Sequence, residues 1–296
     1  MTSLITDPDL ALLLDSADVE DLTVLIDHIT DKGEGRISLS AATCRILVDA
    51  QAAGQIDGVC RALIAEELQR FGGNSVVNLF RGGAGVSYRE ILRDVAGHVS
   101  ANTSPKSDCV QFESAIVGTM MDQAFAKMTE QEREDLFAEF GAKYTRGAGP
   151  AAMAALQVAI RASGFGAFKL AAIVANAVAR AILGRGLAFG ATAGLMRGIS
   201  TFAGPIGWAV TAVWTVFDLA SPAYRVTLPC VIQLAYMRQK ALLLSCPRCH
   251  APTDVTKKFC SECGGPLKLY LTYETSRSNS KTDAAGDSAN PQKEPE

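Results

Sequence analysis

Four cysteines near the C-terminus have the spacing of a metal site. In CPRCHAPTDVTKKFCSECGGPL, Cys246 and Cys249 form one C-x-x-C pair and Cys260 and Cys263 a second, with ten residues between the pairs. A C-x-x-C segment turns tightly enough that its two sulfurs point the same way. Two such turns facing each other offer four thiolates in a tetrahedron, which holds a structural Zn2+ at about 2.3 Å from each sulfur. Pro247 and Gly264-Gly265 are the turn residues such knuckles require. With four cysteines available His250 is superfluous, and a closed set of thiolates leaves no open position for catalysis at the metal. A redox role fits less well, because it needs one C-x-x-C at a helix start in an α/β domain. The expected job of the metal is to fold a segment of about 30 residues that cannot build a core alone. The alternation of KLYLTYE after the second pair reads as a strand, completing a small zinc ribbon. Lys257 and Lys258 between the pairs read first as a solvated turn, so nucleic acid is the least favoured partner.

No other stretch carries recognisable chemistry. The three histidines (His28, His98, His250) form no H-E-x-x-H, and there is neither a G-x-S-x-G elbow nor a G-x-x-x-x-G-K-[ST] loop. The glycines of FGGNS and FRGGAG near Arg81 lack the Lys-Ser/Thr that would grip a phosphate, and read as helix ends and turns. Tyr88 and Arg89 suit an internal network with Asp94 or the acidic half of the chain. No catalytic residue is assigned and the chain reads as a non-enzyme.

The elements that must position the cysteines are helical. The net charge of −3 hides an asymmetry: residues 1–139 hold 11 Lys+Arg against 23 Asp+Glu, a net of −12, and residues 140–240 hold 10 against one, a net of +9. The basic segment is also the most apolar. It either docks on the chain's own acidic half or faces something anionic. In the first half, Asp7-Pro8 predicts a helix start and Ser16 a second cap, with Val19, Leu22, Leu25, Ile26 and Ile29 on one face. Ser40 predicts a third helix, and a fourth over 57–71 should stop at a left-handed Gly72-Gly73. SYRE (87–90) and TEQE (129–132) fit capping boxes. The scattered Cys44, Cys60, Cys109 and Cys230 suit buried thiols of a cytosolic protein, and the N-terminus lacks the basic and apolar regions of a secretory signal.

The apolar segment raises the question of a membrane. Gly186, Gly190, Gly194 and Gly198 recur every four residues, and on a helix they form a smooth ridge for close packing, in a bilayer or a protein core. The longest uncharged run is 198–217, but Gly204-Pro205 and Ser221-Pro222 cut it to a helix about 24 Å long, short of the roughly 30 Å hydrocarbon core. In the helix near 165–183, Lys169, Asn176 and Arg180 make a narrow basic stripe on an otherwise apolar surface. That stripe suits an interfacial helix on anionic lipid, or a core helix whose one polar side faces water or the acidic half.

Two long runs resemble the YaaW-like family of uncharacterised bacterial proteins: IAEELQRFGGNSVVNLFRGGAGVSYREILRDVAGHV (64–99) and AGPIGWAVTAVWTVFDLASPAYRVTLPCVIQLAYMR (203–238). DPDLALLLDSADVEDLTVLIDHIT (7–30) is similar to the domain of unknown function that precedes that block, and the region near 110–145 distantly resembles the helical domain of mitochondrial cytochrome bc1 assembly chaperones. The resemblance implies an α-helical bacterial cytoplasmic protein and no catalytic residue. The zinc ribbon is a departure, since simpler family members end near the position of Lys240. The expected fold is therefore mainly α: a multi-helix bundle with a glycine-rich apolar segment and a small β zinc ribbon at the C-terminus. The expected divisions are an acidic helical domain (1–146), an apolar basic glycine-zipper segment packed on it (147–244), the four-cysteine zinc ribbon (245–274) and a disordered tail (275–296). The expected function is interaction: a regulatory or chaperone-like module with a protein partner and the ribbon as adaptor. The alternative is a membrane-active chain, peripheral on the inner membrane face, whose segment near 165–220 meets anionic bilayers and oligomerises through its glycines.

Overall fold

The computed structural model describes residues 7–36, 39–73, 85–148, 150–162, 165–189, 202, 204–207, 223–246, 248–249, 252–254, 258–260 and 263–267. The chain divides into two compact units, residues 1–241 and 242–296. The described helices of the larger unit are α1 (Pro8–Ser16), α2 (Val19–Thr30), α3 (Ala41–Ala52), α4 (Gly58–Gly73), α5 (Tyr88–His98), α6 (Cys109–Lys127), α7 (Glu130–Glu139), α8 (Pro150–Ala162), α9 (Gly166–Leu183) and α10 (Tyr224–Ala241). The mainly α reading holds. The predicted tail and the KLYLTYE strand lie outside the described residues.

Local chemistry sets most of the helix starts. Asp7 accepts from the N–H of Leu10 with Pro8 in the first turn, Ser40 accepts from Thr43, and Ser87 and Thr129 each form a reciprocal capping box with the Glu three residues on. A third box, Asp108 with Gln111, opens α6. Two expectations fail. The cap of α2 is Asp18, which accepts from Asp21; Ser16 closes α1 instead, its hydroxyl donating to the carbonyl of Leu13. Gly72 and Gly73 lie inside the last turn of α4, and neither has a positive φ. Gly72 is required by packing: a Cβ there would meet Ile91 of α5 at 2.5 Å.

The bundle is built around α10. Val226 to Met237 are all buried, and the helix packs against α9, α2, α6, α4, α5 and α1. A helix buried on every side must have its polar groups matched by its neighbours. Gln233 donates to the carbonyl of Asp21 at 3.4 Å, and Thr227 to that of Ala223 at 3.2 Å. At the C-terminal end Arg238 forms a fork. Its Nη1 and Nη2 reach the carboxylate of Asp9 on α1 at 3.1 and 2.7 Å, and its Nε reaches Glu113 on α6 at 2.7 Å. The buried Tyr88 hydroxyl of α5 donates to the same Glu113 at 2.8 Å. Burial pushes the Glu113 carboxyl up against the pull of Arg238 and Tyr88. Two residues on, Lys240 binds Asp18 and, at 2.8 Å, Asp21. Arg185, past the end of α9, pairs with Asp27 of α2. The cations of the basic segment thus meet the carboxylates of the acidic one. Tyr88 and Arg89 take other partners than Asp94: Arg89 donates to the carbonyls of Ser107 and Pro105.

Further cations close helix C-termini, where the last carbonyls lack intrahelical donors. Arg61 donates to Leu14 and Ala17 at the end of α1, Arg36 to His28 and Ile29 at the end of α2, and Lys169 to Glu139 at the end of α7. His28, 2% exposed, is held neutral: burial, then the guanidinium groups of Arg36 and Arg185, lower its pKa to about 3.

Two stability predictions follow from this core. Replacing Arg238 with Ala strands the Glu113 carboxyl, and a buried pair broken on one side costs about 3–5 kcal/mol. Tyr88→Phe removes one hydrogen bond and costs about 1–3 kcal/mol. Urea unfolding followed by helical circular dichroism checks both; equal losses would show that the fork does not carry the difference. For His28 the folded pKa lies below the ordinary value, so the unfolded chain binds the extra proton, and the stability due to neutral His28 is lost as pH falls below about 6.5. Asp21 runs the other way. Burial raises its carboxyl to about 6 against the pull of Lys240, which favours the folded state as pH falls from 6 toward 4. The clean measure is therefore the difference between wild type and His28→Gln. It should move in favour of the variant by about 1.4 kcal/mol per pH unit between pH 6 and 4, and a pH-independent difference would contradict a neutral buried imidazole.

Candidate metal centre

The smaller unit brings the four cysteines together. Its first pair sits on a hairpin of β1 (Leu243–Ser245) and β2 (Pro252–Asp254), antiparallel with Leu243 opposite Asp254 and Ser245 opposite Pro252. Cys246 follows β1 directly. The second pair lies in a turn closed by a bridge between Phe259 and Pro266, by Cys260 N–H to Gly265 O at 2.8 Å and by Gly264 N–H to Cys260 O at 2.9 Å. Gly264 has φ +67°, the left-handed conformation that glycine takes without strain. Cys246, Cys260 and Leu267 are buried against one another, with Cys263 beside them, so among the described residues the sulfurs form most of this unit's buried cluster.

The sulfur geometry fits a tetrahedral ion. All four Sγ atoms lie within 4.8 Å of one another. Cys246 is 3.7 Å from Cys263 and Cys249 is 3.7 Å from Cys260, each contact joining the two pairs. Four sulfurs at about 2.3 Å from one ion are separated by about 3.8 Å along each edge of a tetrahedron. The amides also favour thiolate. The backbone N–H groups of Cys249 and Arg248 point at Cys246, the latter at 3.4 Å, and hold its thiol down to about 6. These four cysteines would hold the metal, and four thiolates at this spacing suit Zn2+ acting as a structural cross-link.

The other singled-out residues belong to the larger unit. Gly186 lies in non-helical backbone beyond α9, so it is not part of a helical ridge; Gly190, Gly194 and Gly198 lie outside the described residues. Gly186 is needed for a different reason. The Asn176 Oδ1 that accepts the N–H of Leu187 at 3.0 Å would stand 2.6 Å from a Cβ at 186, with Arg180 Nε at 3.0 Å. The predicted stripe is thus partly consumed inside the fold. Lys169 pairs with Glu139 at 3.0 Å and lies over the Phe165 ring, Asn176 is buried, and Arg180 is exposed. Among the described residues α9 has the length and composition to cross a membrane, with mean hydropathy 1.6, but 67% of it is buried in the protein. The Arg238 fork escaped the sequence reading. Its only trace there was the opposed charge of the two halves, which names no pair.

The comparisons with known proteins bear on the larger unit. Residues 61–232 match the model of the ubiquinol-cytochrome C chaperone family, from α4 into α10. The chain is 39% identical over 178 residues to a UPF0174 protein of Helicobacter pylori strain J99, covering 60% of this chain and 70% of that one. It is 36% identical over 183 residues to another from the same strain, covering 60% and 87%. The chain belongs to the UPF0174, YaaW-like family, and to the chaperone family whose model it matches. UPF0174 protein YaaW of Escherichia coli K12 is 31% identical over 179 residues, covering 60% of this chain and 70% of its own. No solved structure matches the chain. The chaperone likeness is wider than the stretch near 110–145 suggested. Helices α1 to α3 and the metal unit lie outside it.

The metal reading predicts one Zn2+ per chain by elemental analysis. Cys246→Ser or Cys260→Ser should reduce that to well below one. Chelation should unfold the smaller unit while the helical circular dichroism signal, which comes from the larger one, stays near its starting value. Full retention of metal by either variant would remove the four-thiolate site.

Proposed function

We propose that this chain is a non-enzymatic, chaperone-like protein that binds a protein partner through its helical unit, with the zinc ribbon as a second attachment point. The carrying observation is the match of residues 61–232 to a chaperone family. The electrostatics of the core support it. Glu113 is committed to Arg238 and Tyr88, Asp21 to Lys240, and Asp27 to Arg185 and Gln51, so these buried carboxylates are spent on assembly rather than left to transfer protons. Burial also raises the thiols of Cys109 and Cys230 to about 12, which keeps them protonated and unreactive near neutrality. The test is suppression of aggregation. The zinc-loaded full chain should reduce light scattering by heat-unfolding citrate synthase at near-equimolar ratio, without nucleotide, and co-elute with it. Unchanged scattering together with no co-elution would overturn the reading.

One observation favours a second reading, contact with an anionic membrane surface from the cytoplasmic side. Helix α8 is apolar over Ala151–Ile160 yet leaves Val158 64% exposed, in a stretch (140–217) with seven Lys+Arg and no Asp or Glu. At roughly 20 Å it is too short to span and suits the interface. Flotation with phosphatidylglycerol vesicles at low salt, reversed at high salt, would support this; failure to float at low salt would retire it.

A further inference from the structure

The four sulfurs of the metal unit are unequally protected. Cys246 and Cys260 are 0% and 3% exposed. Cys263 is half-buried and lies against Gly265, where an added Cβ would stand 3.2 Å from its Sγ and 3.3 Å from Arg248 Cδ. Cys249 is the exposed member of the set. Its Sγ still touches the buried cluster, at 3.7 Å from that of Cys260. Cys246 and Cys263 make the matching contact, also at 3.7 Å.

We propose that Cys249 is a site of oxidative modification by hydrogen peroxide, and that its disulfide with Cys260 expels the metal. This is a metal site opened by oxidation, not a catalytic dithiol. It rests on the four-thiolate reading and is independent of the chaperone reading, which concerns the larger unit. Coordination keeps all four sulfurs as thiolates, the form that attacks peroxide, so access decides which reacts first. The exposed Cys249 thiolate attacks one peroxide oxygen, the O–O bond breaks, hydroxide leaves and the sulfur becomes a sulfenic acid. The Cys260 thiolate, already in contact across the pairs, attacks that sulfur; the S–S bond forms and a second hydroxide leaves. The two sulfurs give up two electrons and the peroxide takes them. Cys246 and Cys263 then remain, half the set of a closed structural site. A second peroxide joins them in the same way. Two H2O2 and four thiolates thus give two disulfides and four hydroxides, and the unit loses the cross-link that folds it.

The test treats the zinc-loaded full chain with H2O2. Released Zn2+ is read with 4-(2-pyridylazo)resorcinol, and disulfides are mapped by mass spectrometry after alkylation and trypsin. Trypsin separates Cys246 from Cys249 at Arg248, and Cys249 from the second pair at Lys257-Lys258. Zinc should leave in step with disulfide formation. The first disulfide should link CHAPTDVTK (249–257) through Cys260 to FCSECGGPLK (259–268). Dimedone present during the reaction should tag Cys249 ahead of the other three ligands, and dithiothreitol with added Zn2+ should restore the metal content. Zinc retained under peroxide that fully oxidises glutathione overturns the inference and leaves the four-thiolate site standing. A first disulfide between Cys246 and Cys249, or a first dimedone tag on any other ligand, also overturns it. A chain that holds no zinc before treatment removes the metal site and this inference together.

Discussion

The larger unit depends on one constraint: α10 is buried on all sides and ends in two cations. An apolar helix can be enclosed by neighbours of matching shape, but Arg238 and Lys240 at its last turns cannot be enclosed without carboxylates beside them. The chain supplies those carboxylates from three different helices. Asp9 comes from α1, Asp18 and Asp21 from the start of α2, and Glu113 from the first turns of α6. Each placement also suits the backbone dipoles, since acids at helix starts and cations at a helix end both meet complementary partial charge. One end of one helix thereby fixes the orientation of three others.

The same requirement explains the division of charge along the sequence. Part of the acidic half surrounds: Asp9, Asp18, Asp21, Asp27, Glu113 and Glu139 take cations of the basic segment, and one of those cations, Lys169, also closes a helix end. Lys169 shows both roles, donating to the Glu139 carbonyl that ends α7 and pairing with the Glu139 carboxylate. A charge asymmetry that resembles a surface for anionic ligands is here partly an internal bonding scheme. Arginine is the better residue for the fork at 238, because its planar donors serve two carboxylates at once where an ammonium would serve them as a point charge.

What was legible in the sequence was whatever a few neighbouring residues decide. The caps at Asp7, Ser40, Ser87 and Thr129 and the two C-x-x-C turns depend on spacings of three residues, which the adjacent backbone can satisfy by itself. The Ser16 cap failed because Asp18 satisfies the same local rule two residues later, and only packing chooses between them. Gly72 and Gly186 failed for a related reason. A glycine can mark a left-handed turn, a helical ridge or a close approach, and the deciding atoms, Ile91 and Asn176, lie on other elements. The Arg238 fork joins residues more than a hundred positions apart, so nothing local could have named its partners.

Helix α9 shows how far composition carries a membrane argument. At 18 residues it is about 27 Å long, close to the hydrocarbon thickness, and its mean hydropathy is that of a spanning segment. Its polar groups decide otherwise. The Asn176 amide oxygen is matched by the Leu187 N–H, and the Lys169 ammonium by Glu139. Moving α9 into lipid would break both and strand an ammonium and an amide in hydrocarbon, where neither finds water. It would also strip α10 of a neighbour along the face where Phe168 meets Tyr236 at 5.8 Å between ring centres. Those matched polar groups make α9 a core helix, and any membrane contact by this chain has to use a surface that the core has not already claimed.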